Sequence, residues 1–178
     1  IMQPASIRFV ISEILENNDH STPKESAENT LKILQKFFGL GSASICRVKR
    51  NSIIKSYASI GNMEDIPNRK DKLIQEALTL KKAVYLNDIS DREQTDYIYA
   101  VPFLDKRDDI VVILIIKEIP FLFFHEDTLL KISVTFNYIW TKYKKRASIE
   151  EIQQSKKEIV SLRNSHEGQD FVDFKLEV

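Results

Sequence analysis

Ile110-Val111-Val112-Ile113-Leu114-Ile115-Ile116 is apolar at every position. A run without alternation predicts a strand buried on both faces near the centre of a sheet, because side chains point to opposite faces at every second residue. The same run is far short of the roughly 20 apolar residues a helix needs to cross a bilayer. Residues 97–104 form a second strand across the charged turn Asp105-Lys106-Arg107-Asp108-Asp109, a connection of hairpin length. Upstream, residues 42–48 and 53–60 flank Lys49-Arg50-Asn51-Ser52 and predict another hairpin. In its second strand, alternation puts Ile54, Ser56, Ala58 and Ile60 on the smaller, drier face and Ile53, Lys55, Tyr57 and Ser59 on the other. Residues 83–86 add a short strand, followed by Asn87-Asp88 and a polar loop to Asp96.

Helical spacing supplies the rest. Ile7, Val10, Ile11, Ile14 and Leu15 recur at three and four. Thr22-Pro23-Lys24-Glu25 combines an N-cap, a first-turn proline and a capping-box glutamate. It opens a helix with the stripe Ala27, Leu31, Leu34 and Phe38, which Gly39 and Gly41 end. Leu73, Ile74, Ala77 and Leu78 predict a third helix ending near Lys82. After Pro120 and Phe121-Leu122-Phe123-Phe124, a long helix opens at His125-Glu126-Asp127, whose acids suit an N-terminus, and extends to about Arg163. Its first half carries Leu129, Leu130, Ile132, Val134, Phe136, Ile139 and Trp140 to pack on the sheet. Its second half thins to Ile149, Ile152, Ile159 and Leu162, spacings that allow a short coiled-coil seam. Val172, Phe174, Leu176 and Val178 alternate at the end, a pattern open to strand or amphipathic helix. This order of elements is an α+β plan, an antiparallel sheet with helices packed on one side and a long C-terminal helix.

Composition removes several classes. Twenty-six basic and 26 acidic residues give a net charge of 0 over 178 residues, so no global field draws the chain to nucleic acid. Cys46 is the single cysteine, which excludes an intrachain disulfide, a CxxC pair and a cysteine zinc site, and points to a reducing compartment, the cytoplasm. Gly-rich phosphate loops are missing from the sequence. His20, His125 and His166 stand singly without metal-ligand spacing, so no metal and no cofactor are expected. Cys46, mid-strand and far in sequence from any histidine, reads as a buried structural thiol, and the acidic pairs Asp88 with Asp91 and Asp108 with Asp109 read as turn residues. No catalytic constellation emerges, and an enzyme is not expected. Lys142, Lys144, Lys145 and Arg146 form the one basic cluster, suited to an anionic inner leaflet if a membrane segment precedes Ile1. The start at Ile1 and the stop within an alternating pattern read as a piece of a longer protein.

From residue 22 to 146 the chain resembles the GAF domain, the PAS-like sensor module of bacterial signalling proteins. The resemblance lies in Lys72-Leu73-Ile74-Gln75-Glu76-Ala77 with Ala83-Val84-Tyr85-Leu86-Asn87-Asp88, in Ala100-Val101-Pro102-Phe103-Leu104, and in Phe124-His125-Glu126-Asp127-Thr128-Leu129-Leu130. It departs at residues 105–110, which carry none of the glycines many GAF domains have there. Ile119-Pro120-Phe121-Leu122-Phe123-Phe124, running into residues 132–138, is similar to the PelD-type cyclic di-GMP receptors of Pel exopolysaccharide secretion. That resemblance implies a membrane segment before this domain and a degenerate GGDEF domain after it, with an RxxD nucleotide site. RxxD occurs nowhere in the 178 residues, so cyclic di-GMP is not expected to bind here.

The implied organisation is a flanking helix over residues 1–21, a GAF domain over 22–146, and over 147–178 a helical extension with the truncated start of a following element. The implied function is a non-enzymatic regulatory or dimerisation domain at the cytoplasmic face of the bacterial inner membrane, reaching the membrane only through segments outside these residues. Partners are a second copy, through Ile7, Val10, Ile11 and Ile14 and through Ile149, Ile152, Ile159 and Leu162, and secretion-system proteins; nucleic acid is not among them. The alternative is a small-molecule sensor. In GAF folds the pocket lies between the sheet and the helix and loop before the last hairpin, where Tyr57, Tyr85, Asp88, Arg92, Tyr97 and Tyr99 are the polar groups expected to orient a ligand.

Overall fold

The computed structural model describes residues 22–87 and 93–165, with side chains as far as residue 158. The strands among them are Ser42–Lys49 (β1), Ser52–Ile60 (β2), Val84–Tyr85 (β3), Tyr99–Leu104 (β4) and Ile110–Glu118 (β5). They form one antiparallel sheet in the order β2-β1-β5-β4-β3. β5 is central, as its unbroken apolar run requires, and Ile113, Leu114, Ile115 and Ile116 are all fully buried. The helices are Pro23–Phe38 (α1), Lys72–Leu80 (α2) and Glu126–Ser165 (α3), with a 3₁₀ turn at Phe121–Phe123. The chain is therefore α+β, with an antiparallel sheet and a long C-terminal helix.

Local chemistry sets the boundaries. Thr22 Oγ1 accepts the Glu25 N–H at 3.2 Å, Pro23 occupies the first turn, and Gly39 at φ 66° closes α1 in the left-handed region. Arg50 and Asn51, at φ 53° and 57°, supply the two positive angles of a type I′ hairpin between β1 and β2. Asp71 caps α2, accepting the N–H groups of Leu73 at 2.9 Å and Ile74 at 3.3 Å.

Three expectations need correction. Strict alternation predicts Ile54 on the drier face of β2, but Ile53 is buried and Ile54 is 42% exposed. The register explains the reversal: Ile45 pairs with Ala58, Cys46 with Ser56 and Val48 with Ile53, so Tyr57 and Ile54 are extra residues, and each bulge inverts the parity. The fourth strand begins at Tyr99 rather than 97, because the Tyr97 N–H is taken by Thr95 Oγ1 at 3.1 Å instead of by a strand. In α3, Leu129, Ile132, Phe136, Ile139 and Trp140 are buried as expected, whereas Leu130 and Val134 face outward.

Because both faces of β5 are apolar, both need cover. One is filled by α2: Leu73, Ile74, Ala77 and Leu78 join Cys46, Val48, Ile53, Tyr97, Ala100, Ile113 and Ile115 in one apolar cluster. The other meets α3, where Tyr99 Oη donates to the Leu129 carbonyl at 2.9 Å and Trp140 lies against Tyr57, Phe103 and Phe136. Helices thus cover both faces rather than one. Pro102 fits at the edge of the ladder: the Leu86 N–H bonds the Ile98 carbonyl, so the trans peptide turns the Tyr99 N–H toward β5, and Pro102 falls on the opposite parity, its donor-less nitrogen turned away from β5.

The chain divides into two compact units, Ile1–Trp140 and Thr141–Val178. Within the second, Arg146 pairs with Glu150 one helical turn on, at 3.4 Å. The expected helix over residues 1–21 and the alternating pattern over 172–178 lie outside the described residues. No described helix is long and apolar enough to cross a membrane.

Candidate functional site

Of the six residues expected around one pocket, four are described, and Tyr97 lies on the opposite sheet face from Tyr57 and Tyr99. Tyr57, in a bulge of β2, stacks on Trp140 with ring centroids 6.2 Å apart, and burial raises its hydroxyl pKa while Arg47 opposes the shift. Tyr99 lies on the same face, and burial pushes its hydroxyl up to about 12. Tyr97 lies on the opposite face, 1% exposed within the cluster under α2. Tyr85 is partly exposed on the short β3. Asp88 and Arg92 lie outside the described residues.

Beneath α2 the sheet face carries a buried apolar cluster. Tyr97 fills its centre, with Cys46, Ile113 and Ile115 beneath the apolar stripe of α2. Burial chiefly raises the Tyr97 hydroxyl pKa, and that hydroxyl donates to Glu64 Oε2 at 3.1 Å and accepts the Asn68 N–H at 3.3 Å. Glu64 also pairs with Lys117 at 3.4 Å. Its carboxyl sits below the ordinary value first through a backbone N–H hydrogen bond, which burial opposes, and then through Tyr97 and Lys117.

A buried carboxylate ties this face together. Asp71 is 5% exposed, and besides capping α2 it accepts Thr95 Oγ1 on both oxygens, at 2.7 and 2.8 Å, and the Asp96 N–H at 3.2 Å. Thr95 in turn accepts the Tyr97 N–H, so one side chain fixes both the start of α2 and the approach to β4. Sequence reasoning missed this latch, although Asp71 immediately before the stripe of α2 is a helix start signal. Beside it lies a cleft of about 70 Å³ lined by Lys72, Glu76, Tyr85, Asn87, Gln94 and Thr95, among others. Lys72 Nζ donates to Gln94 Oε1 at 2.7 Å there. The cleft offers an ammonium, a carboxylate, amides and a phenol, groups that bind and orient a small polar molecule.

Cys46 is fully buried, with Ser44 Oγ 3.3 Å from its sulfur, and burial raises its thiol from 9.0 to about 11. At pH 7 roughly one molecule in 10⁴ then carries the thiolate that nucleophilic chemistry needs. Among the described residues no group of three His, Cys, Asp or Glu side chains is placed to hold a metal ion. Of the residues expected to mediate association, Ile149 and Ile152 are exposed on α3. The side chains of Ile159 and Leu162, and the whole of Ile7, Val10, Ile11 and Ile14, lie outside the description.

No protein-family model and no curated protein sequence matches the chain. Solved structures do. A PelD fragment from Pseudomonas aeruginosa PA14 in complex with c-di-GMP matches 76% of this chain at TM-score 0.59 and 22% identity, with 49% of that fragment covered. The chain therefore spans about half the length of the PelD structures it matches. Free methionine-R-sulfoxide reductase from Neisseria meningitidis, in complex with its substrate, matches 82% of this chain at TM-score 0.61 and 12% identity, over 98% of its own length. A protein described as a GAF sensor from Burkholderia vietnamiensis matches 82% at TM-score 0.60 and 12% identity, over 97% of its length. At such identities the likeness is one of fold, and the fold is of the GAF type.

Proposed function

We propose that this chain is a non-enzymatic regulatory domain of a bacterial signalling receptor, similar to the GAF half of a PelD-type protein controlling exopolysaccharide production. The observation that supports the reading is the sheet face under α2, where Tyr97 is buried among apolar neighbours. A domain packed in this way contributes through association and helix position rather than through a captured molecule. The buried thiol of Cys46 supports the non-enzymatic half of the reading, because the sulfoxide reductases of this fold act on a substrate and Cys46 is the only thiol here. In this reading two copies associate through their terminal helices at the cytoplasmic face of the inner membrane and engage secretion-system proteins. Cyclic di-GMP is read by a segment beyond these residues. Isothermal titration of the 178-residue chain with cyclic di-GMP is expected to give no binding heat, and light scattering a dimer. Stoichiometric binding, or turnover of free methionine sulfoxide by the purified chain, would overturn the reading.

A second reading, a small-molecule sensor, is favoured by the cleft beside Asp71, where Lys72 and Glu76 place opposite charges one turn apart on α2. A molecule that binds it at 100 times its Kd is expected to add about 2.7 kcal/mol of stability. Thermal-shift screening of small polar metabolites, with Lys72→Ala as the control that abolishes the shift, tests it.

A further inference from the structure

We propose that the β1–β2 hairpin is a membrane-docking surface whose basic side chains lie against anionic lipid headgroups. The proposal rests on the position at the inner membrane read above and names the part of the domain that touches it.

Residues 42–60 contain Arg47, Lys49, Arg50 and Lys55 and no acid, although the chain as a whole is neutral. In sequence these cations are scattered between apolar residues, and the hairpin gathers them. Arg47 pairs directly with Lys55 across the two strands, so their side chains share a face. Lys49 follows two residues after Arg47 along β1, on that same face, and Arg50 sits in the turn at φ 53°. All four are exposed, and among the described residues none of them forms an ion pair. Like charges set opposite each other weaken a strand pair, and here no carboxylate offsets the cost. Lys55 Nζ lies over the Tyr57 ring, 5.5 Å from its centroid, and beside it the bulged Ile54 is 42% exposed. An apolar side chain thus stands among the cations.

This arrangement selects the occupant. The four charges spread over two strands and a turn, and the cleft described above lies elsewhere, beside Asp71, so no small anion is gathered by them. A zero net charge gives nucleic acid no long-range attraction. An anionic leaflet attracts each nearby cation separately and accepts Ile54 at the boundary between headgroups and acyl chains.

The test uses the 178-residue chain. Vesicles of three parts phosphatidylcholine to one part phosphatidylglycerol are expected to sediment it, and pure phosphatidylcholine to leave it in solution. Each cation near an anionic leaflet contributes about fivefold, so Arg47→Gln with Lys55→Gln is expected to weaken binding roughly 30-fold, with circular dichroism checking the fold. Ile54→Cys carrying an environment-sensitive fluorophore should shift to the blue on the anionic vesicles; Cys46 is buried and does not compete for the label. Binding that survives the double variant, or an Ile54 label that keeps its aqueous emission, would overturn the hairpin as the contact. Tighter binding to duplex DNA than to the vesicles at equal salt would overturn the lipid assignment. No binding to either vesicle would overturn the proposal and leave the regulatory reading, which titration and light scattering test, in place.

Discussion

Tyr97 and Tyr99 stand two residues apart and end on opposite faces of the sheet, and the two faces are built differently. Under α2, Tyr97 sits in an aliphatic cluster whose margin is fastened by the Asp71 carboxylate and by the Tyr97 hydroxyl bonds to Glu64 and Asn68. Under α3, Tyr99 bonds a helix carbonyl and the neighbouring rings of Tyr57, Phe103, Phe136 and Trp140 fill the space. One face is held by directional polar contacts around a small apolar centre. The other depends on ring packing, with the Tyr99 hydroxyl bonded to the Leu129 carbonyl beside it. Damage should therefore differ in kind between the two.

The largest effect should come from the ring face. Trp140→Ala is expected to cost about 3–5 kcal/mol, measured by urea unfolding, because it removes a fully buried indole that three rings contact. On the other face, Asp71→Ala removes a helix cap and leaves the Thr95 hydroxyl and backbone N–H groups without their acceptor, for roughly 3 kcal/mol. Trp140 is the only tryptophan, so its emission reports the ring face alone. In Asp71→Ala that emission should stay unchanged below the unfolding transition; a red shift would show that the faces are coupled.

A third prediction titrates the α2 face. The Cys46 thiol pKa is raised in the folded chain, so its contribution is complete below about pH 9 and is lost as pH rises toward about 11. Stability should fall by roughly 2–3 kcal/mol over that window, and Cys46→Ala should flatten the pH profile even if it lowers stability overall. The smallest expected effect is that of single hydroxyls: Tyr97→Phe and Tyr99→Phe should each cost about 1 kcal/mol. Only Tyr97→Phe should also shift the Glu64 titration, followed by NMR, since only that hydroxyl touches the carboxylate.

The sequence was most legible where a periodic pattern met a local signal. The apolar run of β5 established a strand covered on both sides, and Thr22-Pro23 with Gly39 marked both ends of α1. It was least legible where a tertiary contact changes the count. Nothing in residues 52–60 announces that Ile54 and Tyr57 are extra residues, because a bulge is decided by the strand opposite. Tyr97 and Tyr99 look like neighbours on one strand until Thr95 takes the Tyr97 N–H. The expected pocket grouped its tyrosines by proximity in sequence, while the fold places Tyr97 on one sheet face and Tyr57 and Tyr99 on the other. Leu130 and Val134 belonged to a helical face too broad to be covered from one side. Asp71 was readable as a cap and went unrecognised, and its bond to Thr95, 24 residues away, has no local signal.

The outer edge of β4 has a consequence for how this domain behaves in a crowded cell. β3 pairs only with Tyr99 and Ala100, so among the described strands nothing continues the sheet beyond that point, and there Pro102, a buried residue, has no N–H to donate. A foreign strand arriving at this margin cannot complete its hydrogen-bond ladder, and propagation of the sheet from molecule to molecule is blocked at its first step. At this margin one imino acid interrupts the ladder, whereas the opposite margin, β2, is broken instead by its two bulges at Ile54 and Tyr57.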